Sequence, residues 1–377
     1  MATASDDLKF WVAFSRISRV GAVRAGLLAD YFDSMADAWK AGAAGLKAAG
    51  LDSGTVTSIV NGRPSIDPDA EIEKLRKAGV KAYSWRDEGY PVRLKEIDDK
   101  PPVLYVRGEL RPEDEWAVAV VGTRRATPYG RQAAKHFATD LARHKITVVS
   151  GLARGIDAIA HRSVLSAGGR TIAVLACGLD LIYPPEHARL AQEISQQGAL
   201  ISDYPLGTQP RSEYFPRRNR ILSAVSLGVL VVEGDVDSGA LITARMAIDQ
   251  NREVFAIPGS IYSPTHRGAN RLIREGEARL VTRAEDILEE LNLTMATHQP
   301  ELREVAPADK TEAALLRVLS SQPIHIDEVQ RVSGLPIASV SSALAMLELK
   351  GMVRQTGPMS FVRAREVNVT YSTASTA

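Results

Sequence analysis

Cysteine is nearly missing: the chain has one, Cys177, among 377 residues. A lone cysteine closes no disulfide within the chain and builds no thiolate metal cluster, which points to a reducing, cytoplasmic setting. Long apolar runs are missing too. No stretch reaches the roughly 18 apolar residues of a spanning helix, and the opening MATASDDLKFW lacks the basic and apolar regions of a secretory leader. Neither a membrane partner nor a metal is expected. Charge of one sign is also absent in bulk: 46 basic and 45 acidic residues leave a net +1, so charge must be read segment by segment. Two nucleotide signatures are lacking. No G-x-x-x-x-G-K-[ST] loop occurs, which excludes a P-loop ATPase. The first strand of the central region runs into Gly122-Thr123-Arg124 instead of G-x-G-x-x-G, placing a bulky arginine where a pyrophosphate would approach. No cofactor is expected.

What remains is an ordinary globular composition, 45% hydrophobic and 24% charged, long enough for two or three domains. Residues 1–62 read as short amphipathic helices with Gly, Asp and Ser caps, a helical domain of SAM or helix-hairpin-helix type. "RISRVGAVRAGLLADYF" has the outline of the DNA-backbone-binding hairpin. It keeps only one of the favoured glycines, so a small bundle packed on its neighbour is the preferred reading. Residues 63–115 are proline-punctuated and read as a connector with two short strands, "KAYSW" and "VLYVRG".

Between residues 116 and 292 strands and helices alternate. "WAVAVVG", "ITVVSG", "TIAVLACG", "ALISDYP", "GVLVVEG", "EVFAIPG" and a weaker "RLVT" are near-continuous apolar runs separated by helical stretches. That spacing predicts βαβ crossovers and an α/β, Rossmann-like, doubly wound and mostly parallel sheet covered on both faces. Residues 293–309 read as a linker and 310–365 as a winged helix, three helices followed by a hairpin near Gly357-Pro358. The Ser/Thr-rich residues 366–377 read as a disordered tail.

Ligands in such a sheet sit beyond the carboxyl ends of the strands. Five strands end there in glycine, at Gly122, Gly151, Gly178, Gly234 and Gly259, which suggests that something presses against the backbone. The neighbouring side chains are one-sided. "GTRRATPYGR" supplies Arg124, Arg125 and Arg131 without an acid, and "PRSEYFPRRNR" supplies Arg211, Arg217, Arg218 and Arg220 against Glu213. Arg154 sits in the Gly151–Gly155 loop. Arginine forks suit phosphate oxygens, and helix N-termini after Gly122, Gly151 and Gly239 add N–H donors. Phe215 is the best stacking candidate for a base. Asp157 and His161, an i, i+4 pair, are expected to support the loop. No spacing among Asp157, Asp180, Asp203, Glu233, Asp235 and Asp237 demands a metal or an acid–base pair.

The blocks "VAVVGTRRATPYG", "VVSGLARGIDAIAH", "YPLGTQPRSEYFPRRNRILSAVS", "VVEGDVDSGALITARMA" and "VFAIPGSIYSPTHRGANRLIREGEARLV" resemble the successive signature blocks of the DNA-processing protein A (DprA, or Smf) family. The resemblance implies a non-enzymatic, homodimeric protein that binds single-stranded DNA through its Rossmann-like domain. It also implies loading of the RecA recombinase and protection of incoming strands during natural transformation. Carried over by position, the family's DNA-binding motifs fall on Gly122, Thr123 and Arg124; on Ser150, Gly151, Arg154 and Gly155; and on Phe215, Arg217, Arg218, Asn219 and Arg220. Two rivals stay open. A phosphoribohydrolase on this scaffold would carry Pro-Gly-Gly-x-Gly-Thr-x-x-Glu, where "EGDVDSGALITARMA" offers Arg245 and no glutamate. A duplex-binding regulator would need basic residues in "PIASVSSALAMLELK", which has none before Lys350.

Overall fold

The computed structural model describes residues 4–293, 310–320, 324–349, 353–357 and 359–363. They belong to two units, Met1–Thr297 and His298–Ala377. Residues 294–309 of the expected linker and the expected tail lie outside the described residues.

The first unit opens with α1 (Ala4–Ser15), α2 (Ala22–Tyr31), α3 (Met35–Lys40), α4 (Ala43–Ala48) and α5 (Ser53–Gly62). Local chemistry sets several starts: Ser34 accepts the Asp37 N–H to cap α3, and Asp52 accepts that of Thr55 to cap α5. There follow α6 (Pro68–Lys77), β1 (Val80–Ser84), α7 (Val92–Lys95) and β2 (Val103–Gly108). The alternating part comprises β3 (Ala117–Gly122), α8 (Pro128–Arg143), β4 (Thr147–Ser150), α9 (Ile156–Ser166), β5 (Thr171–Val174), α10 (Ala188–Gln197) and β6 (Ala199–Ser202). It continues through α11 (Tyr214–Ala224), β7 (Gly228–Glu233), α12 (Gly239–Asp249), β8 (Glu253–Ala256), α13 (Arg267–Arg274), β9 (Arg279–Leu280) and α14 (Ala284–Glu290).

All the strands of this unit join one nine-stranded sheet, in the order β1-β2-β6-β5-β4-β3-β7-β8-β9. From β6 to β9 neighbours are parallel, so the doubly wound, mostly parallel sheet read from the sequence is the observed one. The two short strands expected within residues 63–115 are β1 and β2, and they extend the main sheet: β2 pairs antiparallel with β6, and β1 with β2. Their short apolar runs are completed by pairing with strands distant in sequence, which local pattern does not reveal.

Alternation along β3 builds the layers. Ala117, Ala119 and Val121 face a core closed by α11, α12 and α13, through Ile221, Leu241 and Leu272. Val118 and Val120 face a second core closed by α8, α9 and α14, through Phe137, Val164 and Ile287. A third core joins the N-terminal helices to the sheet: Trp11, Phe14, Leu28 and Met35 are contiguous with Tyr105, Leu175 and Leu200. The helical residues 7–62 therefore share a core with the sheet. The Tyr105 and Ser15 hydroxyls, 2.6 Å apart, add a polar tie at this junction.

In the second unit, helices Lys310–Val318, Ile326–Ser333 and Ile337–Leu349 pack with a small sheet in the order β10 (Ile324–His325), β12 (Ser360–Arg363), β11 (Val353–Gly357). Gly334 closes the middle helix in the left-handed conformation, φ 68°. The third helix exposes Ser341, Ser342 and Glu348 and no basic residue.

Trp11, 2% exposed and edge-on to Trp85 at 5.0 Å, is the central wedge between the N-terminal helices and the sheet. Trp11→Ala is expected to lower the stability of the first unit by about 3–5 kcal/mol, read as a shift in the denaturant midpoint.

Candidate nucleic-acid interface

β3 and β7 are neighbours from which the chain winds in opposite directions, toward β6 on one side and β9 on the other. The crevice beyond the carboxyl ends of such a pair is the ligand position of open α/β sheets. A cleft of about 720 Å³ opens at this point. Its walls are the Gly122–Arg125 loop after β3, the start of α12 from Ser238 to Thr243, and the Pro210–Asn219 segment that leads into α11.

The loop after β3 is pinned at both ends by Glu233, the last residue of β7. The Glu233 carbonyl accepts the Thr123 N–H at 2.7 Å. Its fully buried carboxylate accepts the Thr127 N–H at 3.0 Å, the Thr127 hydroxyl at 2.7 Å and the Thr265 hydroxyl at 2.8 Å. Thr127 in turn caps α8 through the Gly130 N–H. Arg124 and Arg125 stand on this fixed loop, both exposed. The Arg124 guanidinium lies 5.4 Å over the Phe215 ring, a cation–π distance, and Phe215 is 5.6 Å from the ring of Tyr183.

The loop after β4 is organised by Asp157. Its carboxylate accepts the N–H groups of Gly151 and Ala153, at 3.1 and 3.3 Å. Burial pushes this carboxyl above its usual range, while the nearby Arg218 and the two N–H donors pull it back. Gly155 takes φ 76°, and the Thr123 carbonyl occupies the place a Cβ would need, so both conformation and space call for glycine. The Ser150 hydroxyl is turned inward and donates to the Val120 carbonyl at 2.7 Å. His161 is fully buried at the far side of α9. Thr171 donates its hydroxyl to Val148, so its oxygen is left to accept the His161 Nδ1–H, at 2.7 Å. His161 thus ties α9 to β5 and does not pair with Asp157.

Several sequence expectations are corrected here. Arg218, expected to meet phosphate, is 4% exposed; it donates to the Val174 carbonyl and fills the space left at Gly151. Arg220 is also interior, bonded to Asp203 at 2.7 Å and near Asp99 at 3.3 Å, and does not line the cleft. Arg154 is exposed but engaged with Glu186 at 2.5 Å. The strand-end glycines yield to the protein's own atoms: Gly122 to Ile156, Gly178 to Pro205, Gly234 to Ser238 and Gly259 to His266. Among the described residues Arg124, Arg125 and Arg217 are exposed and form no salt bridge. Arg217 lies outside the cleft lining, near Gly21 of the N-terminal helices. Asn219 lines the cleft and donates weakly to the Gly239 carbonyl, at 3.4 Å.

Residues 81–292 match the family model described as DNA recombination-mediator protein A, and residues 298–357 match the DprA winged helix domain. The chain belongs to the DNA-processing protein A (DprA/Smf) family. It is 33% identical over 397 residues to Protein Smf of Synechocystis sp., covering 96% of this chain and 100% of that one. The X-ray structure of DprA from Streptococcus pneumoniae superposes with a TM-score of 0.66 at 33% identity, covering 75% of this chain and 97% of that one. DprA from Helicobacter pylori, described for its single-stranded DNA binding mode, gives 0.52 at 31% identity over 57% of this chain and 96% of that one.

Within this DprA-family cleft, sequence reasoning passed over Tyr183 and Ser238. Tyr183 falls just after a strand end, where a core ring and a site ring look alike in sequence; it is 41% exposed beside Phe215. Ser238 sits at the N-cap of α12, a position its residue type signals, but it makes no cap bond. The Ser238 hydroxyl and the Arg218 Nε are both buried without a protein partner and both residues line the cleft.

Burial, followed by the charges of His187 and Arg218, lowers the His161 pKa from 6.5 to about 3. A depressed histidine stabilises the fold above pH 6.5, and that contribution is lost as pH falls toward 3, because the unfolded chain takes up the proton first. Between these limits the native protein is expected to lose about 1.4 kcal/mol per pH unit more than His161→Gln, measured by denaturant unfolding at stepped pH.

Proposed function

We propose that this chain is a single-stranded-DNA-binding recombination mediator that performs no chemistry on the strand. The observation that carries the reading is the cleft at the switch point: carboxylate-free Arg124 and Arg125 stand beside the Phe215–Tyr183 aromatic pair. Phosphates would lie against these arginines, Ser238 and the N–H groups at the start of α12, with Arg217 beyond the rim. A base would displace Arg124 from Phe215 and stack in its place. Gly122, Thr123, Gly151 and Gly155 shape the loops, while Arg218 and Arg220 hold α11 from within. The H. pylori relative, described for binding single-stranded DNA, supports the same ligand here.

The family resemblance extends the proposal to a cytoplasmic homodimer that protects incoming strands in natural transformation and loads RecA onto them. Exposed Ile261 and Tyr262, 76% and 90% accessible, offer apolar contact to a second copy. The phosphoribohydrolase alternative finds little support. Asp157 is the carboxylate lining the cleft among the described residues, and one of its oxygens is occupied by two backbone donors. The exposed face of the third winged-helix element, with serines and Glu348, gives no support to base-edge reading of a duplex.

A labelled thymidine oligomer should bind with a steep salt dependence. Arg124→Ala with Arg217→Ala is expected to reduce the log–log slope by about 1.4, since each single-strand phosphate contact contributes about 0.7. Phe215→Ala is expected to weaken binding by about 1–3 kcal/mol, and removal of residues 310–377 to matter far less. Hydrolysis of a nucleoside monophosphate without oligomer binding would overturn the proposal.

A further inference from the structure

We propose that a strand held in the cleft continues onto a second, basic track along the outer surface of α8 and α9. The contact with single-stranded DNA is then longer than the cleft itself. This inference rests on the single-strand reading above and adds a surface to it.

The track begins on the cleft loop. Arg131, in the first turn of α8, is exposed and donates to the Ala126 carbonyl at 2.6 Å, only a few residues beyond Arg124 and Arg125. Arg131, Lys135, Thr139 and Arg143 then follow one another four residues apart, on one face of the helix. Facing them, Arg162, Ser163 and Ser166 of α9 complete a groove of about 580 Å³ with Lys135, Thr139 and Arg143. Lys135 and Arg162 are exposed and form no salt bridge among the described residues. The nearby carboxylate, Asp140, is committed to Arg143 at 3.0 Å and His136 at 3.2 Å. Twelve residues from Arg131 to Arg143 rise roughly 18 Å, at about 1.5 Å each. That span matches about five nucleotides at a stacked spacing of about 3.4 Å.

The lining selects the ligand. Arginine, lysine, serine and threonine are the side chains that bind phosphate oxygens without reading sequence. Ala167 is the apolar contribution, so a protein partner would find no aromatic or aliphatic anchor of the kind that dominates protein interfaces. Continuity with the arginine loop favours the strand already in the cleft over an unrelated anion. Sequence alone groups Arg131 with Arg124 and Arg125 in one basic segment; the groove between α8 and α9 is a tertiary feature.

The test uses the full chain with Lys135→Glu and Arg162→Glu together. Both positions are exposed, and retained thermal stability checks that the fold survives. Two labelled thymidine oligomers are titrated against salt, one short enough to be held by the cleft alone and one of about twenty nucleotides that also spans the helices. The track predicts unchanged binding of the short oligomer, and a long-oligomer slope reduced by about 1.4 with a correspondingly weaker Kd. Unchanged binding of the long oligomer would overturn the track and leave the cleft reading standing. Equal weakening of both oligomers would show a general charge effect and also overturn it. Failure of the unaltered protein to bind either oligomer would instead overturn the single-strand reading itself.

Discussion

The guanidinium of Arg218, buried beneath the cleft, is the contact on which the site depends. From α11 it reaches under the loop after β4, donates to the Val174 carbonyl and lies in the field of Asp157. This ties the helix that carries Phe215 and Asn219 to the ends of β4 and β5. It also explains Gly151, since a side chain there would take the guanidinium's place. Without the guanidinium the Val174 carbonyl loses this donor, and Asp157 loses the largest of the charges that favour its ionised form.

A division of labour follows among the arginines. Arg218 and Arg220 are structural, each spent on an internal acceptor or acid. Arg124, Arg125 and Arg217 are exposed, and what fixes Arg124 and Arg125 is backbone: the Glu233 carboxylate and carbonyl hold Thr123 and Thr127 on either side of them. Positive charge presented from a rigid loop, with an aromatic ring beneath it, is preorganised for a backbone phosphate and a base. Because the cleft lies where the chain winds outward both ways, three loops converge on it without any strand being interrupted.

Much of the architecture was legible because strands buried on both faces read as continuous apolar runs, and because βα spacing dictates a parallel sheet. The place of β1 and β2 was not, since the antiparallel pairing of β2 with β6, on which β1 then adds, depends on contacts far apart in sequence. The arginines show the sharper limit. In Phe215-Pro216-Arg217-Arg218-Asn219-Arg220 composition says "basic", but each residue turns about 100° around the helix, and only the packing of α11 decides which ones face inward. The glycines misled for a related reason: their pattern was real, but what approaches them is Ile156, Arg218, Pro205, Ser238 and His266. Tyr183 and Ser238 become visible as site residues only once the loops meet.

The central claim is that a single strand lies in the cleft with a base on Phe215. Photo-crosslinking with an oligomer carrying 5-iodouracil, followed by peptide mapping, addresses it directly. The account predicts crosslinks on Phe215 and Tyr183. Crosslinks confined to residues 310–363, with none in the cleft, would contradict it.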